Sequence, residues 1–415
     1  MADNAIHENL IEITKYELMG ELPDPFVFND GTRMTDPAQW PRRRAEIYRD
    51  AIDLQYGTMP PAPEFLEVEP IYLGGRGSLN SYRIITGTRA KPITFTMYIF
   101  KARCKEKAPA IISGDMCFIS AFRQEYVAAM VDNDINFVTF NRTELAPDIA
   151  RYNLSGLDKE SGEYKIGDKT YEGLDTGNCG GQVKATYPEY TFGAVGAWAW
   201  GYSRCVDALE ILDNVDLDTL VFTGHSRGGK TAALAGALDE RAAIVNPNAT
   251  CSGGYSSYRI NIEAVTEDEA VKKSEPLSNI FHHFPAWMGQ GMKEYIGREN
   301  ELPFDAHHLK AMVAPRVLLV SEAASDIMAN PVGSYQTTEA ASEVFKFLGC
   351  EENLIWTFRR GGHGQTVEDM GKLVNVIKHV KNGDPLSDRF FKRPFKPIKP
   401  AYSWKCPESK KKERN

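Results

Sequence analysis

The chain has 415 residues, 42% of them hydrophobic and 25% charged, the composition of a soluble globular protein with a large core. A net charge of −8 excludes a broad nucleic-acid surface, which needs a basic footprint. No stretch approaches the roughly 20 apolar residues of a membrane-spanning helix, so no membrane partner is expected.

The first 25 residues hold acidic side chains and no apolar run of signal-peptide length. The chain as given is therefore expected in the cytoplasm, and outside the cell if a signal has been removed. Seven cysteines with no CxxC pair suit a reducing compartment, one or two bridges remaining open.

From Leu22 to Pro63 the sequence is rich in Pro and aromatic residues. Asp36-Pro37 reads as a helix cap with Pro at the first helical position, ahead of a helical patch from Pro41 to Tyr56. We expect residues 1–64 to form an arm on a catalytic domain at 65–385. Ile93 to Phe100 alternates as a strand, Ala110 to Gly114 is a short buried strand ending in a loop, Gln124 to Asn133 is helical, and Asn136 to Phe140 is β-rich. Arg142 to Tyr190 is polar and Gly-rich without periodicity, as expected of a long functional insertion.

Beyond it, helix (Gly193–Leu212), strand (Thr219–Thr223), helix (Arg227–Leu238) and strand (Ala242–Val245) follow one another. A second insertion runs from Gly253 to Ala311. Strand Arg316–Val320, helix Ser334–Leu348, strand Leu354–Phe358 and helix Val367–His379 complete the pattern. The alternation predicts a three-layer sandwich on a mostly parallel sheet, and together with the strand–turn–helix around Gly224-His225-Ser226-Arg227-Gly228 it predicts the α/β-hydrolase fold. Residues 386–415 form a basic tail, Lys-rich from Lys396 to Arg414, which we expect to be solvated.

The chemistry is concentrated where strand Leu220-Val221-Phe222-Thr223 runs into Gly224-His225-Ser226-Arg227-Gly228-Gly229-Lys230 and then an Ala-rich helix. This is the setting of a nucleophile elbow, with flanking glycines permitting a sharp turn that exposes the serine hydroxyl. Ser226 is the expected nucleophile, and the backbone N–H of Arg227 is placed to donate to an oxyanion. A serine needs a base oriented by an acid, in the order Ser, Asp or Glu, His for this fold. His363, in Arg359-Arg360-Gly361-Gly362-His363-Gly364, is the expected base. Asp326 is the preferred acid and Glu322 the alternative, both following strand Arg316–Val320. His282-His283 and His307-His308 lack metal-ligand spacing, so neither a metal nor any other cofactor is expected.

Several segments together resemble the glucuronoyl esterases of carbohydrate esterase family 15. Gly224 to Lys230 is similar to the family signature G-C-S-R-x-G-K, with His225 in place of Cys. Gly196 to Arg204 (GAWAWGYSR) resembles the helix upstream of it. Phe284-Pro285-Ala286-Trp287, Leu302 to His307, Ala314-Pro315-Arg316 and Asp326 to Pro331 add to the likeness, as do Leu22 to Pro25 and Tyr56 to Pro60. The resemblance implies that the Arg227 guanidinium joins the oxyanion hole, that Lys230 binds a hydroxyl of the glucuronoyl ring, and that Trp287 contacts substrate.

One departure stands out. Many family members carry the acid in a segment like P-Q-E-S-G-S-G-G, whereas Pro247-Asn248-Ala249-Thr250-Cys251-Ser252-Gly253-Gly254 has Ala249 there. By that likeness the acid falls to Asp326. The expected activity is hydrolysis of (4-O-methyl) glucuronic acid esters of xylan or its fragments through an acyl-enzyme. The alternative is an acetyl or cinnamoyl xylan esterase on the same scaffold. The substrate partner is thus a small-molecule or oligosaccharide uronate ester; the sequence is silent on oligomeric state.

Overall fold

The computed structural model describes residues 11–118, 123–150, 164–166, 169–171, 179–265 and 270–408. Strand β1 (Glu12–Leu18) opens the chain. In the arm, Asp36 forms a capping box with Gln39 around Pro37. Helix α1 (Trp40–Ile47) then passes through a π-helical stretch, Tyr48–Asp53, into α2 (Leu54–Tyr56). The expected helical patch is therefore present with a wider turn at its centre. The arm buries Phe26, Phe28, Met34, Ile47 and Tyr56 in the same core as the rest of the chain.

Three antiparallel strands lead into the main sheet: β2 (Phe65–Leu73), β3 (Leu79–Gly87) and β4 (Pro92–Phe100). Next come β5 (Pro109–Ser113), α3 (Gln124–Val131) and β6 (Asn136–Phe140). The first insertion contributes a hairpin, β7 (Tyr164–Ile166) with β8 (Lys169–Tyr171), and α4 (Gly181–Thr186). Helix α5 (Ala194–Leu212), β9 (Asp216–His225), α6 (Arg227–Leu238) and β10 (Ile244–Asn248) follow. The second insertion folds as β11 (Ile260–Val265), β12 (Val271–Lys273), α7 (Leu277–His283) and α8 (Ala306–Ala311). Strand β13 (Val317–Ala323), α9 (Pro331–Phe347), β14 (Leu354–Arg359) and α10 (Val367–Asn382) close the fold.

The nine-stranded sheet has the order β14-β13-β10-β9-β5-β6-β4-β3-β2. Its six strands from β14 to β6 are parallel. Strands β5, β6, β10, β13 and β14 are buried along their whole length, as expected where helices cover both faces. Alternate residues feed two cores: Ala110, Ile112, Phe222 and Val320 pack beneath α5, α6 and α9, whereas Ile111, Val221 and Leu319 face α3 and α10. This is the three-layer α/β sandwich that the alternation predicts.

The second insertion is tied to the N-terminal arm, because its β11 pairs antiparallel with β1. The basic tail departs from the sequence reading: its described part keeps Lys396, Lys399 and Lys405 exposed but docks on the body of the fold. Phe395 and Ala401 are buried, Leu22 and Ala401 share a backbone hydrogen bond, and the Trp404 indole donates to the Leu22 carbonyl. Apolar residues spaced among the lysines anchor this segment, and Lys410 to Lys412 lie outside the described residues. No disulfide joins the described cysteines, and no described helix is long and apolar enough to cross a membrane.

Candidate active site

Ser226 sits between the end of β9 and the first turn of α6 with φ 57° and ψ −120°, a left-handed value that non-glycine residues adopt only under constraint. The neighbouring glycines supply the room. A Cβ on Gly224 would meet the Gly228 carbonyl at 2.3 Å, and one on Gly228 would meet Asp115 Oδ1 at 1.8 Å. The Ser226 N–H is held by the Asn248 carbonyl at 2.9 Å, and its own carbonyl accepts from Lys230 N at 3.0 Å. Asp115, after β5, accepts from the His225 N–H at 2.7 Å. The strain is thus borne by three adjacent parallel strands.

Three side chains from distant positions meet at this tip. The Ser226 hydroxyl lies 2.9 Å from His363 Nε2, and His363 Nδ1 lies 2.6 Å from Asp326 Oδ2. A carboxylate can only accept, so Nδ1 carries the proton and Nε2 is left to receive the serine's. Asp326 is nearly fully buried while the imidazole is 30% exposed, which orients the base and leaves its working face open. The two loops are also joined through the backbone: Ala324 N donates to Arg359 O and Ser325 N to Gly361 O. Such a relay activates a serine for attack on a carbonyl carbon.

Glu322 is inside β13, not in the loop, and points elsewhere. Its Oε1 accepts from Ser334 Oγ at 3.0 Å, and burial, reinforced by the negative charge of Asp326, pushes its carboxyl up to about 8. Nearby Lys310 is fully buried and donates to Ser334 O, Thr337 Oγ1 and Thr338 Oγ1; burial pushes it down to about 7. Glu322 makes no hydrogen bond to His363, so of the two candidate acids it is Asp326 that holds the imidazole.

The Arg227 N–H occupies the first position of α6, where a helix provides no acceptor of its own. Its guanidinium is gripped by Asp148, with Nη1 3.1 Å from both carboxylate oxygens. Asp148 also accepts from the Trp287 indole at 3.2 Å and pairs with the fully buried Arg142 at 3.5 Å; Arg142 pairs in turn with Asp115. Trp287 stacks on Phe284 at 3.8 Å, and the Arg227 guanidinium lies 4.8 Å from the indole centre. Nothing in the first insertion's sequence singled out Asp148, whose importance comes only from the fold. Asp148→Asn is expected to lower kcat/KM by roughly tenfold, because the Arg227 guanidinium loses the carboxylate that fixes its position beside Ser226; steady-state kinetics on a benzyl glucuronate ester check this.

Two further residues are implied by the resemblance to contact substrate. Lys230 is buried and donates to Thr250 O at 2.5 Å, and Trp287 is 3% exposed with its N–H taken by Asp148. One of the three ammonium donors of Lys230 is thus taken by backbone, and the Trp287 N–H is taken by a carboxylate. The loop above Lys230 is tightly bent, with positive φ at Ala249 (47°), Cys251 (56°) and Gly253 (83°), which folds it down over the ammonium.

His225, where the family signature has Cys, packs 4.8 Å from the His363 ring centre. Its Nδ1 is 2.7 Å from Asn248 Oδ1, and burial, then the neighbouring His363, lowers its pKa. It therefore stays neutral beside the base. Of the two histidine pairs that lack ligand spacing in sequence, His307-His308 is held structurally: His307 Nε2 binds the Pro23 carbonyl at 2.8 Å and His308 Nδ1 accepts from Asp305 N at 3.3 Å.

Among the described residues, Cys251, Asp326 and His363 bring possible metal-ligand atoms within 4.8 Å of one another. A cation there would have to displace the proton that joins His363 to Asp326, so it would disable the pair. EDTA is accordingly expected to leave kcat unchanged; loss of activity restored by added zinc would contradict this.

A family model described as "Glucuronyl esterase, fungi" matches residues 175–349. A 4-O-methyl-glucuronoyl methylesterase from Wolfiporia cocos is 28% identical over 339 residues, covering 80% of this chain and 73% of its own. A carbohydrate esterase of unknown prokaryotic origin is 26% identical, covering 90% and 91%. The solved structure of a family 15 glucuronoyl esterase from Caldicellulosiruptor kristjansonii superposes with a TM-score of 0.77 at 26% identity, over 94% of this chain and 96% of that one. Sequence and fold thus agree along most of the chain: it is an α/β-hydrolase related to the glucuronoyl esterases of carbohydrate esterase family 15.

Proposed function

We propose that this protein is a serine carboxylic ester hydrolase that cleaves esters of (4-O-methyl) glucuronic acid in xylan or its fragments. The observation that carries the reading is the continuous relay from the Ser226 hydroxyl through His363 to Asp326. In this mechanism His363 Nε2 takes the serine proton as Oγ attacks the uronate ester carbonyl, and the tetrahedral oxyanion is met by Arg227. The imidazolium returns its proton to the leaving alcohol, giving an acyl-enzyme. Water, deprotonated by the same nitrogen, then adds to the acyl carbon and frees the acid and Ser226.

The relatives' names support the acyl half of this substrate. Parallel assays with benzyl glucuronate, methyl galacturonate, methyl ferulate and acetylated xylan test it. The expected result is a kcat/KM for benzyl glucuronate at least about tenfold above the others. Faster release of acetate or ferulate would favour the acetyl or cinnamoyl esterase reading and overturn this one.

A further inference from the structure

The base stands on a run, Gly361-Gly362-His363-Gly364, that has almost no conformational preference of its own. Something must hold it within hydrogen-bonding reach of both Ser226 and Asp326. Arg359, the last residue of β14, has a buried side chain that reaches under this run and donates to two of its carbonyls, Gly362 O at 3.4 Å and Gly364 O, and to the carbonyl just before it, Arg360 O at 2.8 Å. Its Nε donates to both oxygens of Asp369, at 2.8 and 3.1 Å. Asp369 is itself fixed at the start of α10, where it accepts from Thr366 N and Oγ1 at 2.9 Å. A planar five-donor fork suits a loop whose carbonyls turn inward around one point, and a lysine would offer no such spread.

We infer that Arg359, anchored by Asp369, is the positioning residue for His363. It touches neither substrate nor Ser226 and acts by fixing the loop backbone, so that Nε2 and Nδ1 are aligned at once. This rests on His363 being the base.

The test compares Arg359→Gln, Arg359→Lys and the double variant Arg359→Gln/Asp369→Asn, with His363→Ala as a control. Each is measured for kcat, KM, melting temperature and the far-downfield proton resonance of a His363–Asp326 hydrogen bond. Arg359→Gln is expected to lose about 10²-fold in kcat, the scale of small misplacements in a site, with KM within about threefold, and to lose the downfield resonance. Arg359→Lys is expected to rescue little. The double variant removes the charge that the single variant leaves buried and unpaired, so its melting temperature should recover while kcat stays low. If kcat recovers together with stability, or never falls, Arg359 only supports the fold and the inference is overturned. If His363→Ala retains activity, the assignment of the base fails instead, whatever the Arg359 variants do.

Discussion

Ser226→Ala is expected to abolish ester turnover, by at least about 10⁴-fold in kcat, the loss seen when a relay that acts as a unit loses its nucleophile. The fold should not notice. The side-chain hydrogen bond of Ser226 runs to His363, and alanine keeps the Cβ that the left-handed backbone already accommodates. The strain at φ 57° is imposed by Asn248, Asp115 and the close Gly224–Gly228 approach, none of which involves the hydroxyl. Melting temperature and circular dichroism should therefore match the parent while product formation from a benzyl glucuronate falls to background. Full turnover by the variant would remove the basis for a covalent mechanism.

The second large effect separates the two carboxylates. Asp326→Asn is expected to cost on the order of 10²- to 10⁴-fold in kcat. The amide cannot stabilise an imidazolium, and it turns the imidazole to the wrong tautomer. Glu322→Gln is expected to stay within about threefold, because that side chain already resembles a neutral acid. Glu322 also makes stability depend on pH. Glu322 titrates near 8 in the folded chain and near 4 when unfolded, so the folded state binds its proton more tightly. Stability is then lost as pH rises from about 4 towards 8. Lys310 has the opposite sign, since its folded value near 7 lies below the unfolded one, and it acts only above about pH 7. Between pH 5 and 7 the difference in melting temperature between parent and Glu322→Gln should therefore grow in favour of the variant. A flat difference would mean that Glu322 is ionised in the fold.

The sequence displays the elbow and the order of the relay because these are local facts: glycines at two fixed offsets around Ser226, an apolar strand before it, and a glycine run around His363. The parallel strands are legible for a similar reason, being short, continuous and apolar, like Ile111-Ile112 and Leu318-Leu319-Val320. Long-range contacts leave no such trace. The pairing of β1 with β11 depends on a two-residue alternation seen in any amphipathic strand. Asp148 lies in a polar insertion that lacks periodicity, and only folding brings it under Arg227 and Trp287. The tail misleads because its lysines dominate the composition, while Phe395, Ala401 and Trp404 do the packing. Lys230 and Trp287 come from resemblance, and their contacts with Thr250 and Asp148 are long-range and leave no local signal in the sequence.

Labelling with a fluorophosphonate probe followed by peptide mass spectrometry tests the central claim most directly. Phosphonylation requires an activated serine, so the account predicts one modified residue, Ser226, with loss of ester turnover in proportion to labelling. The His363→Ala variant should label at least about 10²-fold more slowly. Labelling at another residue with Ser226 unmodified, or full labelling without loss of activity, would contradict it.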